Sequence, residues 1–298
     1  MMHQERISIA DFPRRVIDID VRGEPLSVST ISFGRPSAPV DVVFSHANGF
    51  NAGTYRETFE GVGLSLQILA VDQRGHGATP QRRGTEGRRD ILDLRDDLLA
   101  LLDALDEAKP VILSGHSIGG CVSLLAAAER PERVGGLILF DPVVLPRGRL
   151  TQSQAEEFDS PIARTALVRR STFASRAEAY RIYRERTVFR GLSDLVLMDY
   201  VTGFRDRDDG QVELSCAPAW EASNFTAHHH DVWRDLERIT APMRIFRAER
   251  DSTCALKDPA ELPGHKALLE IVTTPNTTHF FPLERPEIVR EALLTGIA

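Results

Sequence analysis

Short apolar runs alternate along the chain with segments whose apolar residues recur every three or four positions. That rhythm predicts a mainly parallel sheet covered by helices on both faces. Residues 16–21 alternate apolar and polar side chains, the mark of a half-exposed strand. Residues 26–32, across the turn at Gly23-Glu24-Pro25, are its expected antiparallel partner at the sheet edge. Residues 40–44 and 66–71 are dominated by Val, Ile, Leu and Phe and read as buried central strands. A short helix is expected over 54–59. Ile91, Leu94, Leu98, Leu101, Leu102 and Leu105 share one face of a helix from about 88 to 106. Pro110 then resets the chain into an apolar strand at Val111-Ile112-Leu113, and residues 137–140 form a further buried strand ending at Asp141-Pro142.

There the rhythm breaks. Between about 146 and 239 no buried-strand run appears, only arginine-rich helical segments at 175–187 and 192–202 and a polar loop at 205–210. Strand character returns at 243–246 and 269–272, and a helix over 286–294 closes the chain. The expected organisation is a sheet domain in two pieces, 1–145 and 239–298, interrupted by a helical insertion over 146–238.

Composition narrows the partners. The 298 residues are 42% apolar and 27% charged with a formal net charge of -7, which suits a globular protein and disfavours nucleic acid or an anionic membrane as the main partner. Arg82, Arg83, Arg88 and Arg89 cluster, but acids follow at once, so they read as a solvated loop and helix start. Cys121, Cys216 and Cys254 show no metal-ligand spacing and are expected as reduced thiols. The first residues lack the apolar core of a signal peptide and no run is long enough to span a membrane. The expectation is a cytoplasmic protein with a small-molecule substrate, no membrane insertion and no cofactor.

Chemistry concentrates at Gly115-His116-Ser117-Ile118-Gly119, directly behind the strand that starts at Val111 and ahead of a helix-compatible run. Glycines flanking a serine allow the sharp strand-to-helix turn that exposes a hydroxyl. A serine needs a base, and the base needs an orienting carboxylate. His279, just after the last predicted strand, is the expected base. Asp251, after the preceding strand, is the expected acid, ahead of Glu249 nearby and of Asp141, which reads as the exit into the insertion. Negative charge on a carbonyl oxygen would be met by the N–H of Ile118 and by one from the loop Ser45-His46-Ala47-Asn48-Gly49-Phe50. His116 reads as structural, and His228, His229 and His230 as a solvated loop rather than a metal site.

Taken together, these motifs resemble the α/β-hydrolase-fold enzymes with a cap. The His46-Ala47-Asn48-Gly49 loop resembles the family's oxyanion loop, Asp72-Gln73-Arg74-Gly75-His76-Gly77 its turn after the fourth strand, Gly115 to Gly119 its nucleophile elbow, and Thr278-His279-Phe280 its histidine loop. The His-Ala-Asn-Gly-Phe form resembles a branch with peroxisomal-lipase-like hydrolases. The resemblance implies a mostly parallel sheet of about eight strands, with a helical cap inserted after the sixth. It implies a serine esterase that works through Ser117, Asp251 and His279, with Asn48 and Ile118 N–H groups in the oxyanion hole. His76 and Arg74 would support their loop. Two departures stand out: Ala47 replaces a glycine, leaving Asn48 or Gly49 as second donor, and the usual glycine before the acid loop is missing around Arg247 to Asp251. Pocket candidates are His46, Phe50, His116, Phe173, Tyr200, Trp220 and Phe225. Carbon–carbon hydrolysis or perhydrolysis by the same residues is the runner-up. A non-catalytic ligand-binding member of the fold is the reading from a different class. Asn48 resembles a dehalogenase's halide-binding asparagine, but Ser117 stands where that chemistry needs an aspartate.

Overall fold

The computed structural model describes residues 14–296 apart from 36–37, 63–64, 82–89, 149–159, 228–229 and 266. Arg82, Arg83, Arg88, Arg89, His228 and His229 therefore lie outside the described residues. In chain order the elements are β1 (Arg14–Asp20), β2 (Pro25–Phe33), β3 (Val42–Ser45), α1 (Arg56–Phe59), β4 (Ile68–Val71), α2 (Ile91–Leu105), β5 (Val111–His116), α3 (Ile118–Glu129) and β6 (Val134–Phe140). The insertion follows with α4 (Pro161–Leu167), β7 (Thr172–Phe173), α5 (Arg176–Arg184), α6 (Asp194–Thr202), β8 (Arg205–Asp206), β9 (Val212–Glu213), α7 (Pro218–Thr226) and α8 (Val232–Leu236). The chain ends with β10 (Met243–Ala248), β11 (Leu269–Thr274), α9 (Phe281–Glu284) and α10 (Pro286–Thr295).

Eight strands form one sheet in the order β1-β2-β4-β3-β5-β6-β10-β11. The β1–β2 hairpin pairs Ile17 with Val28, β2 runs antiparallel to β4, and every later pair is parallel. Successive side chains of a strand point to opposite faces, and in the central strands both faces are buried. Val43, Leu69, Leu113, Leu137 and Leu139 join the helices α2, α3 and α8 in one core. Val42, Phe44, Ile68, Ile138 and Phe140 pack with α1, α10 and part of the insertion in the other. That is why the central strands show continuous apolar runs rather than alternation.

The segment read as a polar loop at 205–210 holds β8 and the turn that leads to β9, and these two strands with β7 make a small three-stranded sheet. Strands of two residues are too short to leave a period in the sequence. The insertion meets the sheet domain through specific polar bonds. Arg56 of α1 and Asp199 of α6 form a buried ion pair of 2.7 Å. Burial first of all lifts the Asp199 carboxyl to about 6, against the pull of Arg56. Trp220 of α7 donates its indole N–H to Arg74 O at 2.9 Å, and a Cβ on Gly75 would come within 2.2 Å of that ring nitrogen. Trp220→Phe is expected to cost about 1–3 kcal/mol, read as a lower urea midpoint with an unchanged slope. An unchanged midpoint would show that the indole bond does not hold the insertion down. Among the described residues no helix is long and apolar enough to cross a membrane.

Candidate functional site

Strand β5 ends at His116, and α3 starts at Ile118, so Ser117 occupies the one residue between them. Its backbone has φ 59° and ψ −121°, a strained conformation for a residue with a Cβ. The turn is fixed by Ser117 N–H donating to Phe140 O and by Val143 N–H donating to Ser117 O, both at 3.1 Å. Gly119 admits it: a Cβ there would lie 2.1 Å from Ser45 O and 2.7 Å from His46 O. The start of α3 thus presses against the loop after β3.

Ser117 Oγ lies 3.0 Å from His279 Nε2, and His279 Nδ1 lies 2.6 Å from Asp141 Oδ2. The carboxylate at the imidazole is therefore Asp141, at the end of β6, and not Asp251. Asp251 sits exposed on the turn after β10. Asp141 is fully buried with φ 44°, and that left-handed turn aims its side chain across β10. It accepts from Ala248 N–H (2.8 Å), Ser252 Oγ–H (2.6 Å) and Thr253 N–H (2.9 Å). Burial alone would raise this carboxyl, but the bond and charge of His279, with the Ser252 and Ala248 donors, outweigh it and bring it down to about 2. Asp141 is thus a charged acceptor for Nδ1–H, which leaves Nε2 free to take a proton from Ser117.

In the loop after β3, the amides of Ala47, Asn48 and Gly49 differ in their partners. Ala47 N–H donates to Tyr55 Oη at 3.1 Å, and Gly49 N–H donates to His76 Nε2 at 3.1 Å. The amide of Asn48 has no acceptor among the described residues, which singles it out over Gly49 as a donor beside Ile118 N–H at the positive end of α3. The Asn48 side chain is turned away to the insertion. Its Nδ2 donates to Glu221 O at 2.9 Å and its Oδ1 accepts from Asn224 Nδ2 at 3.0 Å. That geometry removes the halide-binding comparison.

His76 also donates from Nδ1 to Arg74 O, so it supports the loop as expected, and Arg74 is ion-paired with Asp97. Of the pocket candidates, Phe50 and Tyr200 are linked to His279 by a row of ring contacts through Phe280. The Phe50 ring centroid lies 5.3 Å from that of Tyr200 and 6.0 Å from that of Phe280, which stands 5.2 Å from His279. The other candidates are held by other partners, His116 with its ring centroid 4.9 Å from that of His279. His46 is wholly buried, with Nε2 accepting from Gln73 N–H and Nδ1 bonded to Ala47 O. Phe173 packs inside the insertion against Tyr183 and Phe204, Trp220 docks on the turn after β4, and Phe225 packs against Ala163, Ala166 and Ala222.

His116 is also wholly buried, but in a position the sequence did not show. Tyr55 Oη–H donates to His116 Nδ1 at 2.8 Å, and His116 Nε2–H donates to His279 O at 2.8 Å. Burial first, then the nearby His279, push His116 down to about 3, so it stays neutral and keeps one tautomer. A continuous chain of hydrogen bonds thus runs from Ala47 N–H through Tyr55 and His116 to the backbone of His279. Nothing in the spacing of Tyr55 could have announced it, since its partners lie 8 and 61 residues away.

Several known proteins resemble this chain. The 2-(acetamidomethylene)succinate hydrolase of Mesorhizobium japonicum is 25% identical over 261 residues, covering 86% of this chain and 87% of that one. Human monoglyceride lipase is 36% identical over 120 residues, which span 38% of this chain and only 37% of the lipase. Among solved structures, that of E-2-(acetamidomethylene)succinate hydrolase superposes with a TM-score of 0.73 at 22% identity, covering 95% of this chain and 98% of that chain. A peroxisomal alpha-beta-hydrolase from Saccharomyces cerevisiae gives 0.72 at 16% identity, covering 96% and 90%; at these identities the likeness is one of fold. The model of the alpha/beta hydrolase family matches residues 42–292, and the chain belongs to that family.

Proposed function

We propose that the protein is a serine hydrolase that cleaves a carboxylic ester through an acyl-serine intermediate. The observation that carries this reading is the unbroken line from Ser117 Oγ through His279 to the buried Asp141 carboxylate, at 3.0 and 2.6 Å. Ser117 attacks the ester carbonyl while His279 Nε2 takes its proton. The tetrahedral oxyanion is held by the N–H groups of Asn48 and Ile118. His279 then gives the proton to the departing alcohol. Water, deprotonated by the same nitrogen, releases the acid and restores Ser117. Asp141 stabilises the imidazolium that exists between these transfers. The insertion from α4 to α7 acts as a cap that limits the acyl part, with Phe50, Tyr200 and Phe280 as the apolar wall of the site.

The test is labelling with a fluorophosphonate probe, followed by peptide mapping and by turnover of a series of p-nitrophenyl esters. Label on the peptide that holds Ser117, with ester turnover lost in proportion to labelling, is the expected result. Well-folded protein that takes no label and turns over no ester would return the chain to the ligand-binding members of the fold.

A further inference from the structure

Two tyrosine hydroxyls in the insertion are short of acceptors. Arg169 Nη2 donates to Tyr183 Oη at 2.8 Å and to Tyr200 Oη at 2.7 Å. Those bonds occupy a lone pair on each oxygen and leave each O–H proton to be placed. Among the described residues no acceptor takes either proton, although both side chains are buried, Tyr183 at 6% and Tyr200 at 2% exposure. Buried donors left unpaired are disfavoured, so two of them converging beside one guanidinium mark a place where an outside oxygen belongs.

Two sets of contacts relate this cluster to the elements around Ser117. Arg169 and its ion-pair partner Glu221 close over Gly49: a Cβ there would lie 2.5 Å from Glu221 Oε1 and 3.4 Å from Arg169 Nη1. Gly49 follows Asn48, whose amide is a proposed oxyanion donor. From the other side the Tyr200 ring continues the wall formed by Phe50 and Phe280 up to His279. An acyl chain bound to Ser117 along that wall would bring its far end to the hydroxyls.

We infer that Tyr183 and Tyr200, held by Arg169, form a specificity site for a neutral oxygen, a keto or hydroxyl group, on the acyl part of the substrate. The inference rests on the serine-hydrolase reading above. Charge decides between oxygens. Arg169 is already paired with Glu221, so the cluster carries no net charge, and a substrate carboxylate would be desolvated there and face a second carboxylate. A neutral oxygen accepts both O–H protons without that cost. A plain alkyl chain leaves them unpaired, and sites built to hydrogen-bond an oxygen reject analogues that lack it.

The test compares kcat/KM for p-nitrophenyl levulinate, which carries a keto oxygen, p-nitrophenyl valerate, which is its plain alkyl counterpart, and mono-p-nitrophenyl glutarate, which carries a carboxylate. Wild type is expected to favour the levulinate over the valerate by about tenfold or more. In the Tyr183→Phe/Tyr200→Phe double variant that ratio falls towards one, whatever happens to the absolute rates; if the double variant does not fold, Tyr183→Phe alone is read by the same ratio. Equal rates for levulinate and valerate in wild type, a ratio that survives in the variant, or a preference for the glutarate overturns the inference. Binding separates this outcome from failure of the hydrolase reading. In Ser117→Ala protein, methyl levulinate is expected to raise the melting temperature more than methyl valerate does, and the difference should vanish with the two phenylalanines. Equal shifts overturn the site even if ester hydrolysis is established, and unequal shifts uphold it even if no ester turns over.

Discussion

Asp141→Asn is expected to lower kcat for p-nitrophenyl esters by roughly four orders of magnitude with little change in KM, while Asp251→Asn stays within about twofold of wild type. An asparagine at 141 keeps the shape of the side chain, but its amide N–H₂ can face His279 Nδ1. The imidazole would then carry its proton on Nε2, the nitrogen that must accept from Ser117. The three donors around Asp141, from Ala248, Ser252 and Thr253, would meanwhile lose the charge they surround. Stability should respond as well. Because Asp141 titrates at about 2 rather than 3.8, its contribution is present above about pH 4 and is lost as pH falls towards 2. Wild type should therefore lose stability across that window more steeply than the asparagine variant does. The reverse pattern of rates, with Asp251 essential and Asp141 dispensable, would remove the Ser117–His279–Asp141 line as the basis of the mechanism.

The sheet was legible because parallel strands buried on both faces leave apolar runs, and β3 to β6, β10 and β11 all begin or end within a few residues of theirs. Ser117 and His279 were legible for a related reason: each stands where such a run stops. The acid was not, because Asp141 and Asp251 both follow strands on adjacent positions of the sheet. What separates them is the direction of the turn and the company of donors. Asp141 is buried beneath Ala248 and Thr253, whereas Asp251 is exposed. One signal did point the right way. The glycine expected before an acid loop is absent from 247–251, as befits a loop that supplies Ser252 and Thr253 as donors to an acid elsewhere. The sequence leaves the second candidate oxyanion donor between Asn48 and Gly49, because it shows no partners for either amide. The bonds of Ala47 to Tyr55 and of Gly49 to His76 single out Asn48. The pocket was least legible, since burial of Phe173 and Trp220 inside and beneath the insertion looks in sequence just like exposure to a cavity.

The bond chain through Tyr55 leads to the second large effect: Tyr55→Phe is expected to reduce kcat by about ten- to a hundredfold while leaving KM and the preferred acyl chain unchanged. The phenyl ring can keep the contacts that Tyr55 makes with Phe44 and Phe59. What disappears is one oxygen that accepts from Ala47 N–H and donates to His116 Nδ1. Both groups are buried, so each is left without a partner, at about 1–3 kcal/mol apiece. One of them borders Asn48, which would hold the oxyanion, and the other fixes the tautomer through which His116 holds the backbone of His279. Loosening the donor and the base together touches the transition state more than the bound ester, so the loss belongs in kcat, and the rate of fluorophosphonate labelling should fall with it. A variant whose melting temperature drops while kcat and labelling rate stay at the wild-type level would show that Tyr55 serves only the core. A matched fall in kcat and labelling would show that the oxyanion loop and the histidine loop are held in register by one hydroxyl.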